Sequence, residues 1–302
     1  MELRQLKYFC KTAELLSFSE AAKALYITQS TLSQQIKQLE GELGVQLFQR
    51  NSHGVTLTEM GIELLPYAKT TMSNAESCIE HIRDVQNLMT GTLNIGVTYT
   101  FSPTLNETLL TFMKLHRNVK LNIYNKTMEE LMTMLEKRDV DIVLSFKPTH
   151  TYDHIESHIL FDNYLSVVVN SGHELAKHRS IDLRTLQQYK MALPGKGLQA
   201  RNQFDMIVAN GGYKFDCPIE LNEVNILLKM VLHSNLVTIL SEATIYGEEG
   251  LVAVPIDAPG TQMEGCVHVL KDSYRKCSAI EFVKLLCESE TIRKKVFNWL
   301  DS

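Results

Sequence analysis

The sequence predicts an α/β protein with an all-α N-terminal part, and three observations carry that prediction. Two capped helical segments separated by a very short turn occupy residues 17–44. An apolar seam stepping by alternating three and four residues runs from Leu65 to Met89. From residue 93 onward, short β-prone runs alternate with helical patterns, the mark of α/β units around parallel sheets.

Residues 2–16 read as a first helix, with Leu6, Phe9, Ala13 and Leu16 facing a small core. Ser17 followed three residues later by Glu20 is a capping-box pattern, opening a helix to about Leu25 that packs through Ala21, Ala22 and Leu25. Tyr26 and Ile27 form the turn, and Thr28 caps the next helix. There Leu32, Ile36, Leu39 and Leu43 share one stripe. Gln29, Ser30, Ser33, Gln34 and Lys37 occupy the other face, and amide and hydroxyl groups on an exposed helix suit base edges and phosphates. The arrangement is a helix-turn-helix of the DNA-binding kind, its second helix the reader.

Val45–Phe48 and Val55–Thr58 read as two short strands around the turn Gln49–Gly54, which makes the unit a winged helix with Arg50 and His53 at its tip. A helix then runs from the cap Thr58 to about Leu88. Its seam of Leu65, Ala68, Met72, Ala75, Ile79, Ile82, Gln86 and Met89 is a heptad pattern that needs a second copy, so it predicts dimerisation. Met89–Thr92 works as a hinge. Strands are expected at Leu93–Val97, Val119–Tyr124, Val140–Phe146, Leu165–Val169, Val237–Leu240 and Val267–Leu270. Helices are expected over about 103–116, 128–137, 198–210, 224–233 and 278–288.

The 302 residues suffice for two or three domains, and 44% hydrophobic with 22% charged residues is an ordinary globular composition. A net charge of -5 argues against coating nucleic acid indiscriminately. Up to residue 57, however, the basic Arg4, Lys7, Lys11, Lys23, Lys37 and Arg50 outnumber by one the acidic Glu2, Glu14, Glu20, Glu40 and Glu42, so the acidic surplus lies downstream. No secretion signal, membrane-length apolar run or paired C-x-x-C appears, which points to a cytoplasmic protein with reduced thiols and no membrane partner.

Phe18–Leu25, Thr28–Ser33, Ile36, Leu39–Glu40, Leu43–Gly44, Leu47–Phe48, Arg50, Leu57–Thr58 and Gly61 together resemble the LysR-type transcriptional regulators. The likeness continues through Gly91–Gly96, Asp139–Leu144 and Ser171–Ala176, with Glu174 where proline is common in the family. The resemblance implies a winged helix-turn-helix at 1–58, a dimerising linker helix at 59–89 and an effector-binding region at 90–302. That last region would be similar to periplasmic binding proteins, with one α/β subdomain at about 92–161 and 267–302 and another at about 162–266. Two crossovers would join them near Leu160–Tyr164 and Gly265–Val267. It implies homodimers that assemble as tetramers, double-stranded operator DNA as partner, and a small-molecule effector.

Carried onto matching positions, the DNA-binding residues are Thr28, Gln29, Ser30, Thr31, Ser33, Gln34, Lys37 and Arg50; Gln34 stands where many relatives have Arg. For the effector, Gly96–Pro103 ends a strand and starts a helix, so free N–H groups and a positive dipole end favour an anion. Thr98 and Thr100 resemble the pair that relatives use for carboxylate or sulfate, although Phe101 stands where some have a polar residue. Ser102, Ser145, Phe146, Gly197, Gln199 and Arg201 complete the expected wall, with Lys196 near it.

His150, His154 and His158 would share a face only on a helix, and they sit in a loop-like stretch with no completing ligand, so no metal is expected. One branch of the family senses peroxide through a disulfide, but the position of its reactive thiol falls near Gln199, and Cys217 has no evident partner. A solute-binding protein on the same fold would carry a signal peptide. An enzyme would need a nucleophile–base set or cofactor loop, and neither a G-x-S-x-G nor a P-loop nor a dinucleotide fingerprint is present. No cofactor is expected.

Overall fold

A computed structural model describes residues 1–51, 54–85, 89–209, 211–271 and 273–289. The chain separates into two compact units, Met1–Leu88 and Met89–Ser302.

In the first unit, α1 (Leu3–Leu15), α2 (Phe18–Ala24) and α3 (Gln29–Leu43) enclose a core centred on Phe9, Phe18, Leu32, Ile36 and Leu39. Phe9 and Phe18 each place their ring centroid 5.5 Å from that of Phe48. Ser17 caps α2 by accepting from the Glu20 N–H, but Glu20 turns its carboxylate to Lys23 at 2.8 Å, so only half of the expected capping box forms. Leu16 and Leu43 leave the apolar stripes assigned to them. Leu16 closes α1 in the left-handed conformation and is exposed, as is Leu43 at the last turn of α3.

The hairpin is shifted along the chain from its expected place. Strand β1 is Phe48–Asn51 and β2 is Gly54–Leu57, antiparallel with Phe48 opposite Leu57 and Arg50 opposite Val55. Val45–Leu47 instead turns inward, and the Glu40 carboxylate explains why. Buried in α3, its Oε1 accepts from the N–H groups of Leu47 (2.8 Å) and Phe48 (3.2 Å), taking the hydrogen bonds a strand partner would have supplied. Arg50 therefore belongs to the strand rather than the tip, and the tip residue His53 lies outside the described residues.

Helix α4 (Glu59–Val85) follows, with the Thr58 hydroxyl accepting from the Gly61 N–H at 3.1 Å. A Cβ on Gly61 would come within 2.2 Å of the Leu47 carbonyl oxygen, so only glycine lets α4 sit this close. The seam divides along its length. Leu65, Ala68 and Met72 pack on the unit's own core, whereas Ile79 and Ile82 remain 56% and 57% exposed. Gln86 lies outside the described residues.

The second unit holds β3 (Gly91–Val97), α5 (Ser102–Leu115), β4 (Val119–Asn125), α6 (Met128–Glu136) and β5 (Ile142–Phe146). Then come β6 (Ile155–Asn170), α7 (Leu183–Leu186), β7 (Lys190–Pro194), α8 (Gln199–Val208) and β8 (Asp216–Leu221). The unit closes with α9 (Val224–Leu232), β9 (Thr238–Ser241), β10 (Leu251–Pro255), β11 (Gln262–Leu270) and α10 (Cys277–Glu288). Strands β4, β3 and β5 run parallel, as do β7 and β8, but β6, β10 and β11 join antiparallel, so the sheets are mixed rather than parallel.

The expected crossovers are not loops. β6 is one continuous strand that pairs with β11 from Ile155 to Tyr164 and then with β9 and β10 over Leu165–Asn170. β6 thus takes part in both ladders, whereas β11 pairs with β5 and the first part of β6. The register of β11 slips between Gly265 and Cys266, and a Cβ on Gly265 would meet the Phe161 ring at 2.5 Å.

Candidate functional site

Two surfaces place chemistry-bearing residues together, one in each unit. On the first, α3 begins at Thr28, whose hydroxyl accepts from the Thr31 N–H and lies 2.9 Å from Ser30 Oγ and 2.8 Å from Thr31 Oγ1. Gln29 Oε1 accepts from Ser19 Oγ at 3.1 Å, which fixes the amide from α2 and leaves its NH2 available to an acceptor such as a base edge. Gln29, Ser30, Thr31, Gln34 and Lys37 are exposed and Ser33 is half-buried, all opposite the Leu32–Ile36–Leu39 face. The structure therefore brings seven of the eight sequence-derived residues onto one turn-and-helix surface, with Arg50 on the adjoining hairpin strand. Tyr26, in the turn between the two helices, is left-handed and 95% exposed, a feature the periodicity gave no hint of.

The second surface is a cleft in the second unit. One cavity there, about 770 Å³, is lined by Tyr99, Ser102, Lys126, Thr127 and Glu130 and by Asn222, Glu223, Asn225, Tyr246 and Glu248. A smaller one of about 410 Å³ lies beside Met128, Phe146, Gln199, Met206, Met263 and Glu264. Gln199, at the start of α8, spans the cleft. Its Oε1 accepts from the Phe146 N–H and its Nε2 donates to the Phe146 carbonyl, both at 3.1 Å, and Nε2 also reaches Met128 Sδ at 2.9 Å. One side chain thus satisfies both backbone groups at the end of β5.

Of the effector residues expected from sequence, Ser102 lines the larger cavity, and Phe146 and Gln199 line the smaller. Thr98 is buried and donates to the Leu144 carbonyl at 3.4 Å; the Thr100 hydroxyl is buried beside the Tyr99 phenol. Phe101 is a core residue, its ring 5.4 Å from Phe161, and Gly197 is exposed in a left-handed turn. Ser145 faces inward to His268 Nε2 at 2.9 Å, while Ser157 Oγ holds His268 Nδ1 at 2.8 Å. Burial pushes the His268 imidazole down to about 4, so it is neutral at ordinary pH.

Arg201 does not face a ligand. It is 7% exposed and fully engaged, donating to Asp205 at 2.8 Å, to the Pro194 carbonyl at 3.1 Å and to Glu220 at 3.0 Å. A guanidinium committed to two carboxylates and a carbonyl has little charge left to offer an anion. His150 and His154 lie in a loop and His158 on β6, so the helical spacing never arises. Among the described residues no group of His, Cys, Asp or Glu could hold a metal ion, and no helix is long and apolar enough to cross a membrane.

Two of the lining residues that sequence reasoning missed sit on helix starts. Thr127 caps α6 in a full capping box with Glu130, and Glu223 caps α9 by accepting from the Asn225 N–H at 3.3 Å. The Thr-x-x-Glu spacing at 127–130 was a readable signal for the first.

Comparison with known proteins agrees with this layout. The model described as "Bacterial regulatory helix-turn-helix protein, lysR family" matches residues 3–62, and "LysR substrate binding domain" matches 86–289. The chain is 29% identical over 293 residues to the transcriptional dual regulator GltC of Bacillus subtilis, covering 95% of this chain and 97% of that one. It is 28% identical over 283 residues to the HTH-type transcriptional regulator CfxR of Cupriavidus necator, covering 92% and 88%. A full-length OxyR variant from Pseudomonas aeruginosa superposes with a TM-score of 0.73 at 21% identity, covering 97% of each chain. Full-length CbnR complexed with its target DNA gives 0.64 at 19% identity, covering 95% of this chain and 99% of that one.

Proposed function

The chain belongs to the LysR family of transcriptional regulators, and from that premise we propose that it binds operator DNA through α3 and the β1–β2 wing, under control of a small effector held in the cleft of the second unit. The observation that carries this reading is the exposed amide-and-hydroxyl face of α3, anchored from behind by Leu32, Ile36 and Leu39. Thr28, Ser30, Thr31, Ser33 and Gln34 would position the helix on phosphates and sugars, Gln29 would read a base, and Lys37 and Arg50 would neutralise phosphates. The protein would act in the cytoplasm as a homodimer joined through α4, and as a tetramer of two such dimers. The near-balanced charge of one reading unit makes this duplication necessary, since a single copy neutralises few phosphates. Within the effector-binding unit we divide the chain into 92–161 with 267–302, and 162–266, with β6 and β11 passing between them.

Gln29→Ala should relax sequence preference at one position by about 1–3 kcal/mol. Lys37→Ala should weaken binding to all sequences alike and flatten the dependence on salt. A gel-shift titration at several salt concentrations reads both; unchanged affinity and slope in the two variants would remove α3 from the DNA.

Three of the six thiols do not favour redox sensing. Burial pushes Cys10, Cys217 and Cys266 upward, Cys266 to about 12, whereas a sensor cysteine needs a lowered value to supply thiolate.

A further inference from the structure

We infer that the larger cleft cavity takes a small polar cation, a protonated amine carrying further hydrogen-bonding groups, and not an anion. The inference rests on the reading of this cleft as the effector site and names the ligand class. Three observations carry it.

The first is charge. The lining holds one amine, Lys126, and three carboxylates, Glu130, Glu223 and Glu248. Lys126 is already paired with Glu130 at 3.2 Å. Glu223 and Glu248 are exposed and remain as the surplus.

The second is that the helix starts, which attract anions, are occupied by the chain's own carboxylates. Glu130 Oε2 accepts from the Thr127 N–H at 3.0 Å and the Thr127 hydroxyl at 2.8 Å. Glu223 Oε1 accepts from the Asn225 N–H and, at 3.1 Å, from its side-chain amide. A ligand carboxylate would compete with these internal anions and be repelled by them. The guanidinium at the start of α8 is spent on Asp205 and Glu220.

The third is the polar remainder. Tyr99 lines the cavity, its phenol beside the Thr100 side chain and the Ala200 backbone. Ser102, Asn106, Asn125 and Asn222 add amide and hydroxyl groups to the same wall. A volume of about 770 Å³ admits a molecule of sugar or polyamine size. The amide and hydroxyl groups beside the carboxylates suit an organic cation that also hydrogen-bonds.

The test uses three probes of one size and different charge on the full chain: glucosamine, glucose and gluconate, with spermidine as a longer amine. Calorimetric titration and melting shifts should rank glucosamine above glucose and glucose above gluconate, by about tenfold between the extremes. Glu223→Gln and Glu248→Gln should each shrink that preference severalfold, while Glu249→Gln, which is exposed and outside the cavity lining, should leave it unchanged. Gluconate binding as tightly as glucosamine, no binding of either amine, or a preference indifferent to both variants overturns the proposal. The regulator reading fails separately: it falls if the Gln29 and Lys37 variants leave DNA binding untouched, whatever the cleft prefers.

Discussion

At the scale of single residues, two buried polar side chains do work that their spacing in the chain does not disclose. Glu40 sits among apolar neighbours on α3 because it accepts two N–H groups where β1 begins. Glu40→Ala would strand both donors in the core and should lower stability by roughly 2–3 kcal/mol, with Glu40→Gln recovering part of the loss. Calorimetric melting of the full chain checks this; a change under 0.5 kcal/mol would show that the two N–H groups find water instead. His268 is the second. Held between Ser145 and Ser157 and depressed by burial from 6.5 to about 4, it binds its proton only in the unfolded chain over that interval. Its contribution is therefore fully present above about 6.5 and is lost as pH falls towards 4, by about 3 kcal/mol in all. His268→Asn should flatten the stability profile between those values, and an unaltered slope would assign the acid sensitivity to other groups.

At the scale of elements, α4 shows how one periodic pattern can serve two ends. A heptad seam states that a helix has an apolar stripe, not which surface covers it. Leu65, Ala68 and Met72 are covered by α1 and the wing core, while Ile79 and Ile82 stand exposed two turns further on. If those two residues meet a second copy, Ile79→Asp with Ile82→Asp should shift sedimentation towards monomer and cut operator affinity by at least tenfold, leaving the melting of the reading unit unchanged. A variant that sediments like the parent would move the dimer contact elsewhere. The wing makes the complementary point. Its strands were legible as β-prone runs around a polar turn, yet their register was set by Glu40 and by the close approach of Gly61 to Leu47. Strands β7, β8 and β10 escaped sequence reading because each contains a proline, and β7 and β10 also show little alternation.

At the scale of the whole molecule, the effector-binding unit is joined across its cleft by strands rather than loops. β6 runs through both ladders of the unit, and its register with β11 slips once, between Gly265 and Cys266. Gly265→Ala would press a methyl group against the Phe161 ring and should cost about 1–3 kcal/mol of stability, measured by calorimetry. Gln199 meanwhile ties the start of α8 to the end of β5, holding the cleft at the spacing seen here.

The sequence alone determined the order of units, the helix-turn-helix, the apolar faces and most of the long elements. These follow from local periodicity, capping residues and turn chemistry, all written within a few residues of one another. Tertiary structure decided which residues line the cavity. Thr98, Thr100, Phe101, Ser145 and Arg201 stood at suitable places along the chain, but burial or internal partners claimed each of them. The cavity wall was assembled instead from Tyr99, Thr127, Glu130, Glu223 and Glu248, residues far apart in sequence. Whether a polar side chain faces a ligand or satisfies its own fold depends on which donors and acceptors come within about 3 Å, and only the folded chain sets those distances.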